Sequence, residues 1–287
     1  MLWKKKTRAS LWRWRFEKDP NQDRIPFYTD EKDAMIKISA LVIARNEESR
    51  LEACLSHLKF ADECVVVLDR TTDRSKEIAL SCGATLYEGS FEKEGDRRNF
   101  GLSQCQGEWI LEVDADEWVS PELAQEIRIL IESPTADWWE VPIDNYIGPR
   151  LVRYGWGGSF GTTAVPRLFK KGVKVWGPQR LHPSVTFLGK KGPRLKGVLV
   201  HHLDKDLSDT LKRFNSYTLA RAKDLAETRK IDKTSTNVRR FFFRFYKCFV
   251  RRKGYKEGAL GFFIAVLTGL YPLVSTLKAQ EILKQKP

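Results

Sequence analysis

Two aspartates one residue apart, Asp114 and Asp116, form the pattern with the clearest chemical potential in this chain. They end an apolar segment of strand character, residues 108–113. Because alternate side chains of a strand share a face, both carboxylates can point the same way as the chain turns. Neighbouring negative charges repel, and a cation relieves that repulsion. Carboxylate oxygens suit Mg²⁺ or Mn²⁺, so the pattern predicts a divalent-metal site, with a solvated acidic turn as the alternative.

The elements that must position these carboxylates alternate between strand and helix. Buried-strand patterns cover Ile38–Ala44 and residues 64–68, 84–87 and 108–113, and segments of helical spacing separate them. This alternation predicts an α/β fold with a doubly wound, mostly parallel sheet. Ligands of such sheets bind beyond the carboxyl ends of the strands.

Polar residues follow three of these strands. Arg45, Asn46 and Glu47 come after the first strand, Asp69 after the second, and the aspartate pair after the fourth. At the carboxyl edge of one parallel sheet these groups would converge on a single crevice, which favours a nucleotide-type site. Asn46 is also predicted to cap the helix that follows the first strand.

Composition limits the classes of protein to consider. The chain has 287 residues, of which 42% are hydrophobic, enough for one large or two small domains. Its five cysteines include no Cys-x-x-Cys pair, which indicates reduced thiols in the cytoplasm and argues against a zinc site. The four histidines are too few for a His-based metal cluster, and the N-terminus lacks the apolar core of a secretory signal.

Charge divides the chain into an acidic and a basic part. Residues 35–145 contain 11 Lys/Arg and 23 Asp/Glu, whereas residues 146–228 contain 16 and 5. Residues 229–256 contain 11 Lys/Arg and a single acid. The acidic part suits a metal-binding domain, and the basic part suits anionic lipid, a phosphorylated acceptor or nucleic acid.

The N-terminal residues 1–34 form a separate region in this interpretation. They begin with a basic, Trp-rich segment and continue as a linker with prolines and aspartates. Aromatic residues mixed with cations favour a membrane interface, and a solvated tail is the equal alternative.

Beyond residue 138 the sequence predicts further strands, including residues 138–144 and a hairpin around Lys171-Gly172. From Lys205 onward the pattern is helical. The uncharged run at 258–277 is long enough to span a bilayer. Its glycines and proline favour a helix in the membrane interface over a true span, with a buried core helix as a third interpretation. The predicted domains are therefore the extension at 1–34, a sheet domain at 35–203 and a helical region at 204–287.

Four ordered motifs resemble those of family-2 glycosyltransferases, which are inverting enzymes with the GT-A fold. The motifs are Ala44-Arg45-Asn46-Glu47-Glu48, Asp69-x-x-x-Asp73, Asp96-Arg97-Arg98-Asn99-x-Gly101 and Asp114-Ala115-Asp116. This resemblance covers about residues 36–120 and identifies the sheet domain as a GT-A domain. Later segments are similar to bacterial lipopolysaccharide core β-glucosyltransferases, namely Arg167-Leu168-Phe169, Arg180-Leu181-His182, Val200-His201 and Asn215-x-Tyr217-Thr218.

The resemblance implies a role for each matching residue. Ala44, Arg45 and Glu47 would line the nucleoside pocket, and Asp69 would accept a hydrogen bond from the uracil ring. Asp96, Arg97 and Asn99 would hold the base or the diphosphate. Asp114 would contact the ribose or the metal, and Asp116 would ligate the metal.

The catalytic base is where the sequence departs from the family pattern. Related enzymes often have His-Glu where this chain has His182-Pro183. An acceptor hydroxyl must lose its proton during attack, so another base is needed. Asp144, after the next predicted strand, is the first substitute and His182 the second. A buried structural histidine is the alternative for both His182 and His201.

These implications give one expected function and two rivals. The expected reaction is inverting transfer of a sugar, most simply glucose from UDP-glucose, to a hydroxyl of a lipid-linked glycan such as the lipopolysaccharide inner core. It would need Mg²⁺ or Mn²⁺ and take place at the cytoplasmic face of an anionic membrane, with no nucleic acid involved. The rivals are a polyprenyl-phosphate glycosyltransferase and a non-catalytic basic membrane-binding protein on a transferase scaffold.

Overall fold

The first half of the chain builds a parallel sheet, as its strand and helix pattern predicts. The computed structural model describes residues 36–156, 162–177, 184–229 and 231–285. The predicted extension at 1–34 and the candidate base His182 lie outside the described residues. The first elements are β1 (Ile38–Ala44), α1 (Leu51–Ser56), β2 (Glu63–Asp69), α2 (Ser75–Ser81), β3 (Thr85–Gly89), α3 (Glu94–Gln104) and β4 (Trp109–Asp114). These strands pair in parallel in the order β3-β2-β1-β4.

The sheet continues with strands of mixed direction. The further elements are β5 (Glu117–Val119), α4 (Pro121–Glu132), β6 (Trp138–Ile147), β7 (Arg150–Val152), β8 (Ala164–Lys170), β9 (Lys174–Trp176), β10 (Val185–Phe187) and β11 (Leu199–Asp204). Strand β8 runs antiparallel between β4 and β6, and β11 runs parallel to β6. The α/β, GT-A class is therefore confirmed.

The predicted hairpin around Lys171-Gly172 is wrong. Strand β8 belongs to the main sheet, whereas β9 pairs antiparallel with β10 in a separate two-stranded sheet. Gly172 has a φ of 86°, a left-handed conformation that glycine adopts without strain. The turn was therefore recognised, but turn chemistry alone does not decide which strand becomes the partner.

Both faces of the parallel strands are buried, which explains their continuous apolar runs. Alternate residues of β1 enter different hydrophobic clusters, Val42 with α1 and α4 on one face and Leu41 with α3 on the other. At Gly101 of α3, an added Cβ would lie 2.9 Å from Leu41 Cδ1. The glycine thus lets α3 approach the sheet closely and fixes the height of its arginines over the strand ends.

Of the predicted helix N-caps Ser120 and Asn46, the first is observed and the second is not. Ser120 caps α4, accepting a hydrogen bond from the Leu123 amide at 3.2 Å, with Pro121 in the first turn as predicted. Asn46 does not cap α1, which begins at Leu51. It adopts a φ of 57°, and its Oδ1 accepts a hydrogen bond from the Thr72 amide at 2.8 Å.

The helical C-terminal region consists of α5 (Leu207–Thr228), α6 (Thr234–Tyr246), a π-helical turn (Lys247–Arg251), a short 3₁₀ helix (Gly254–Glu257) and α7 (Gly258–Lys284). Helix α7 packs against both α5 and α6. Within the described residues, one helical stretch, Gly254–Lys284, is long and apolar enough to cross a membrane, and half of its apolar window is buried in the protein.

A buried carboxylate ties these helices to the sheet. Glu257 Oε1 accepts hydrogen bonds from the amides of Arg153 at 2.8 Å and Tyr154 at 3.1 Å. Its Oε2 lies 3.2 Å from Arg150 Nη2. The residues from Ile36 onward accordingly form one compact unit.

Candidate active site

The loops that follow β1 and β2 are bonded to each other, which fixes one wall of the crevice. Besides the Asn46 contact, the Glu47 amide donates to Ser75 Oγ at 3.0 Å and the Glu48 amide donates to Asp73 Oδ2 at 2.9 Å. Burial raises the pKa of Glu47, and the nearby charge of Asp116 raises it further. Glu47 therefore lies within electrostatic range of the aspartate pair.

The remaining residues of the first motif differ in exposure. Ala44 is buried at the end of β1, and Arg45 is exposed beside it. Their assignment to a nucleoside pocket stays a prediction.

Asp69 is buried and held by cationic and amide donors. Its Oδ1 accepts hydrogen bonds from Arg70 Nε at 2.9 Å and the Phe91 amide at 3.1 Å. Its Oδ2 accepts hydrogen bonds from Arg70 Nη2 at 2.9 Å and Arg97 Nη1 at 3.1 Å. Burial opposes ionisation, but the hydrogen bond from Arg70 and those from Phe91 and Arg97 outweigh it and lower the pKa of Asp69.

These contacts constrain the predicted role of Asp69 as the uracil acceptor. A carboxylate offers about four lone-pair sites, and all four are in use here. Recognition of a uracil N–H would require one donor to leave, and Arg70, with 44% of its side chain exposed, is the least confined of them.

The motif on α3 separates into three environments. Asp96 is exposed, whereas the Asn99 amide is bonded to the backbone of Trp176, with Nδ2 2.8 Å from its carbonyl oxygen and Oδ1 2.9 Å from its nitrogen. Arg97 contacts Asp69, as described above. The structure therefore places Arg97 at the strand ends and shows Asn99 fixing the end of β9, while the ligand contacts implied for Asp96, Arg97 and Asn99 stay predictions.

Arg98, the neighbour of Arg97, belongs to a buried charge cluster under the aspartate pair. Its Nη1 lies 2.7 Å from Glu112 Oε1, and its Nη2 lies 3.5 Å from Asp114 Oδ1. Lys174 Nζ donates to Glu112 from the other side. Burial opposes ionisation of Glu112, but Lys174 and Arg98 outweigh it and lower its pKa to about 2. Consecutive arginines of α3 thus connect the Asp69 site with the Asp114 site.

Arg167 of β8 bridges Asp114 and Glu117. Its Nη2 donates to Asp114 and lies 2.8 Å from Glu117 Oε1. Glu117 Oε2 also accepts a hydrogen bond from the Asp114 amide at 2.9 Å. Burial opposes ionisation of Asp114, but Arg167 and Arg98 outweigh it and hold its pKa well below the usual range. Asp114 is therefore a charged carboxylate neutralised by two guanidinium groups.

Asp116 faces a histidine instead. His201 Nε2 lies 3.4 Å from Asp116 Oδ2, and Arg50 Nη1 lies 3.5 Å from the same oxygen. Strand register places His201 beside Asn145 on β6 and beside Glu117 on β5. Burial lowers the pKa of His201, but the hydrogen bond and charge of Asp116 outweigh it, so the pKa is raised.

The contacts of Asn145 determine which ring nitrogen of His201 carries the proton. Asn145 Nδ2 donates to the Thr162 carbonyl at 2.8 Å, so its Oδ1 is the atom that lies 2.9 Å from His201 Nδ1. An oxygen acceptor there requires a proton on Nδ1. The raised pKa favours a second proton on Nε2, which then faces Asp116. A bound cation would displace that proton and meet an Nε2 lone pair, with Asn145 as the oriented outer partner that metal-ligating histidines have.

Asp116 and His201 fit a divalent cation better than Asp114 does. A carboxylate oxygen and an imidazole lone pair converge on one point, and both are accepted ligands of Mn²⁺ and related ions. Both Asp114 oxygens already face Arg167 and Arg98. Among the described residues no three His, Cys, Asp or Glu side chains form a group that could hold a metal. A cation here would therefore take further oxygens from a diphosphate and water, as Mg²⁺ commonly does.

The structure separates the candidate base Asp144 from this cluster. Strand β6 continues to Ile147, so Asp144 lies inside the strand and not at its end as predicted. Side chains alternate along a strand, and Asn145 points toward His201, so Asp144 lies on the opposite face. No hydrogen bond or ion pair of Asp144 occurs within the described part of the chain.

Sequence reasoning gave no role to several residues of this cluster. Glu112, Glu117 and Lys174 were passed over, and Arg167 was quoted only within a similar segment. His201 was quoted in the same way and otherwise considered only as a buried structural histidine. Glu112 had a detectable signal, because it alternates with Asp114 on one strand. Arg167 and His201 reach the site through pairings between strands far apart in the sequence, which no local pattern reveals.

Comparisons with known proteins give one family match and several distant relatives. Residues 39–153 match the model of glycosyl transferase family 2. An uncharacterized glycosyltransferase of Rickettsia typhi is 26% identical over 263 residues, covering 86% of this chain and 88% of that protein. The lipopolysaccharide core biosynthesis glycosyltransferase LpsC of Rhizobium meliloti is 22% identical, covering 88% and 96%. The structure of Staphylococcus aureus TarS 1–349 with UDP-GlcNAc has a TM-score of 0.44 at 15% identity, covering 87% and 90%.

The family match includes β1 through β6 and therefore every strand end that contributes Glu47, Asp69, Asp114 and Asp116. The order of the motifs, the parallel strand order and the converging acidic residues agree with it. Residues 39–153 of this chain form a family-2 glycosyltransferase domain, and the sheet that contains them has the GT-A topology.

Proposed function

We propose that this enzyme transfers a sugar from a UDP-sugar, with inversion, to a hydroxyl group of a lipid-linked glycan such as the lipopolysaccharide inner core. The similarity to LpsC along most of both chains supports the acceptor class. Glucose is the proposed sugar, on the resemblance of the later segments to core β-glucosyltransferases. The proposed location is the cytoplasmic face of the membrane.

The observation that carries the proposal is the pairing of Asp116 with His201 at the carboxyl ends of the strands. These two side chains would hold a divalent cation. When bound, Mg²⁺ or Mn²⁺ supplies positive charge that stabilises the departing diphosphate. Asp114, fixed by Arg167 and Arg98, would accept hydrogen bonds from the ribose hydroxyls. The guanidinium of Arg97 lies at the adjacent strand end, where it can bind the base or a phosphate.

The order of the two proposed catalytic bases changes with the position of Asp144. It must approach the acceptor hydroxyl on the sugar face opposite the departing diphosphate, because inversion requires in-line attack. Asp144 lies on the other face of the sheet from Asn145 and His201. We therefore place His182 before Asp144 as the proposed base, reversing the order that the sequence suggested.

The test compares two charge-matched variants in a UDP-release assay with Mn²⁺, Mg²⁺ or chelator. Asp116→Asn removes the proposed ligand charge with little change in volume and is expected to abolish metal-dependent UDP release. Glu132→Gln, an exposed residue paired with Lys37 far from the site, is the control and should keep wild-type activity. Near-normal turnover of a folded Asp116→Asn protein would refute the metal role.

The donor and acceptor need separate measurements. A thermal-shift screen of UDP-sugars with Mn²⁺ identifies the donor, because a ligand well above its dissociation constant raises the melting temperature. Product analysis with labelled donor then compares a lipid-linked glycan with polyprenyl phosphate. Transfer to polyprenyl phosphate alone would replace the proposed acceptor.

A further inference from the structure

Helix α6 presents three strongly exposed aromatic side chains to solvent, and the apolar α7 adds Phe262, which is 51% exposed. Phe242, Phe243 and Tyr246 are 64%, 63% and 58% exposed. Helix α7 is the inner helix of the three, because Ile264, Ala265 and Ala279 are buried. The membrane-contacting surface proposed for residues 258–277 therefore extends to the outer side of α6.

A cavity lies beside this aromatic face, between α5, α6 and α7. Three arginines line it, Arg221 from α5 and Arg240 and Arg244 from α6. Arg240 is paired with Asp232. Arg244 lies over the Tyr271 ring, 5.9 Å from its centroid. Within the described residues, neither Arg221 nor Arg244 has a carboxylate partner, so the cavity has two unneutralised guanidinium groups.

One buried polar group in the cavity also lacks a partner. Asn237 is fully buried, and its Nδ2 donates to Thr276 Oγ1 at 2.9 Å. Its Oδ1 has no hydrogen-bond partner. Such an orphaned acceptor is costly when dry. A suitable ligand therefore carries negative charge for the arginines and a hydroxyl or other donor for Asn237.

The cavity and the aromatic face share an edge on α6. Residues three and four positions apart are neighbours on a helix surface, so Phe243 lies between Arg240 and Lys247. Residues 234–256 contain eight Lys/Arg and no Asp or Glu. An aromatic surface with flanking cations suits the interface of an anionic bilayer.

We propose that the cavity formed by Arg221, Arg240, Arg244 and Asn237 binds the phosphate and a headgroup hydroxyl of an anionic phospholipid, with Phe242, Phe243 and Tyr246 inserted beside it. The proposal deepens the membrane location given above and rests on it. A phosphatidylglycerol headgroup has the required chemistry, because its phosphodiester suits the guanidinium groups and its glycerol hydroxyls can donate to Asn237 Oδ1. The acceptor glycan would then reach the active site from the membrane surface that α6 contacts.

The experiment measures co-sedimentation of the full chain with phosphatidylcholine vesicles, with and without phosphatidylglycerol. Each Lys or Arg near an anionic surface contributes about fivefold to binding. We expect Arg221→Gln/Arg244→Gln to lose at least about tenfold in binding to the anionic vesicles. The matched control, Lys59→Gln/Lys171→Gln, removes the same charge from exposed side chains before β2 and after β8, outside the cavity lining, and should lose much less. Phe242→Ser/Phe243→Ser should lower binding to anionic vesicles at every salt concentration.

Three outcomes would overturn the proposal. The first is equal loss in the two charge-matched pairs, which indicates unspecific attraction. The second is equal wild-type binding to both vesicle types. The third concerns a soluble ligand: glycerol 3-phosphate raises the melting temperature of the wild type but not of Arg221→Gln/Arg244→Gln, while both proteins bind vesicles equally. That result would make the ligand of the cavity a soluble anion. UDP release by the same proteins without vesicles reports the transferase activity separately, so failure of one proposal is distinguishable from failure of the other.

Discussion

His201 Nε2 faces Asp116 Oδ2 at 3.4 Å, and the two residues come from β11 and from the loop after β4. The ring is held from behind by Asn145, whose own amide is fixed by the Thr162 carbonyl. Three segments distant in the sequence thus orient one imidazole toward one carboxylate. Because an outer partner both selects the tautomer and fixes the ring, Asn145 acts as a positioning residue for the proposed metal ligand.

The first prediction concerns this outer partner. Asn145→Ala removes the acceptor on His201 Nδ1 and is expected to raise the Mn²⁺ concentration for half-maximal UDP release by about 10- to 100-fold. The measurement is a Mn²⁺ titration of activity, with UDP binding in chelator as the control that should not change. A purely structural Asn145 would lower activity equally at all Mn²⁺ concentrations, and that result would contradict the assignment.

A second prediction tests the role of Arg167 between Asp114 and Glu117. Arg167→Gln leaves the buried Glu117 and the partly exposed Asp114 without their common cation. Loss of the partner of a buried charge costs about 3–5 kcal/mol in the free energy of unfolding. Urea unfolding followed by tryptophan fluorescence measures this loss. Glu117→Gln in the same protein should recover part of it, because only one of the two carboxylates then remains charged.

The control for Arg167→Gln is Arg194→Gln. Arg194 is 55% exposed and lies 3.9 Å from Glu140, so its removal should cost less than about 1 kcal/mol. If Arg167→Gln were no more destabilising than Arg194→Gln, the bridge would not be a stabilising element of the fold.

A third prediction follows from the low pKa of Glu112. Its pKa is about 2 in the folded protein against a usual value of 4.5, so the folded state favours the ionised form. The stabilisation is fully present above pH 4.5 and is lost as the pH falls toward 2, with a magnitude of about 3 kcal/mol. Glu112→Gln should therefore be less stable at pH 7 and show a flatter fall in stability between pH 4.5 and 2.

Comparison with Glu132→Gln isolates this effect from the other carboxylates. Glu132 is 57% exposed in its pair with Lys37, and that variant should follow the wild-type pH curve. Parallel curves for wild type and Glu112→Gln would mean that Lys174 and Arg98 do not hold the Glu112 charge in the folded state.

The parts of the fold that the sequence predicted are those set by local periodicity. Strand β1 has its predicted ends, and α4 begins after Ser120 as its cap pattern indicates. Asn46 shows the limit of local reasoning, because the Thr72 amide on the next loop offers its side chain a partner that the isolated helix start cannot. Cross-loop bonding of this kind depends on which strands become neighbours.

The candidate site shows the same limit: residues of one short motif were predicted, whereas their partners from distant strands were not. Asp114 and Asp116 were found because both lie in one short motif. Their partners Arg167 and His201 come from β8 and β11, whose pairing with β4, β5 and β6 depends on long-range packing. Asp144 was misplaced because the predicted strand ended three residues early, and the position within a strand decides whether a side chain reaches the crevice.

The last prediction separates the two candidate bases. Asp144→Asn should keep transfer activity within a few-fold of wild type, because strand alternation places Asp144 away from Asp116 and His201. His182→Gln should lower the rate of transfer by about 10²- to 10⁴-fold, the usual contribution of a general base. Metal-dependent donor binding should survive in both variants, since neither residue belongs to the proposed metal site. Single-turnover transfer from labelled donor measures the rate, and a thermal shift with UDP and Mn²⁺ measures binding. A large loss in Asp144→Asn with normal donor binding would instead make Asp144 the base and show that the acceptor approaches from the other face of β6.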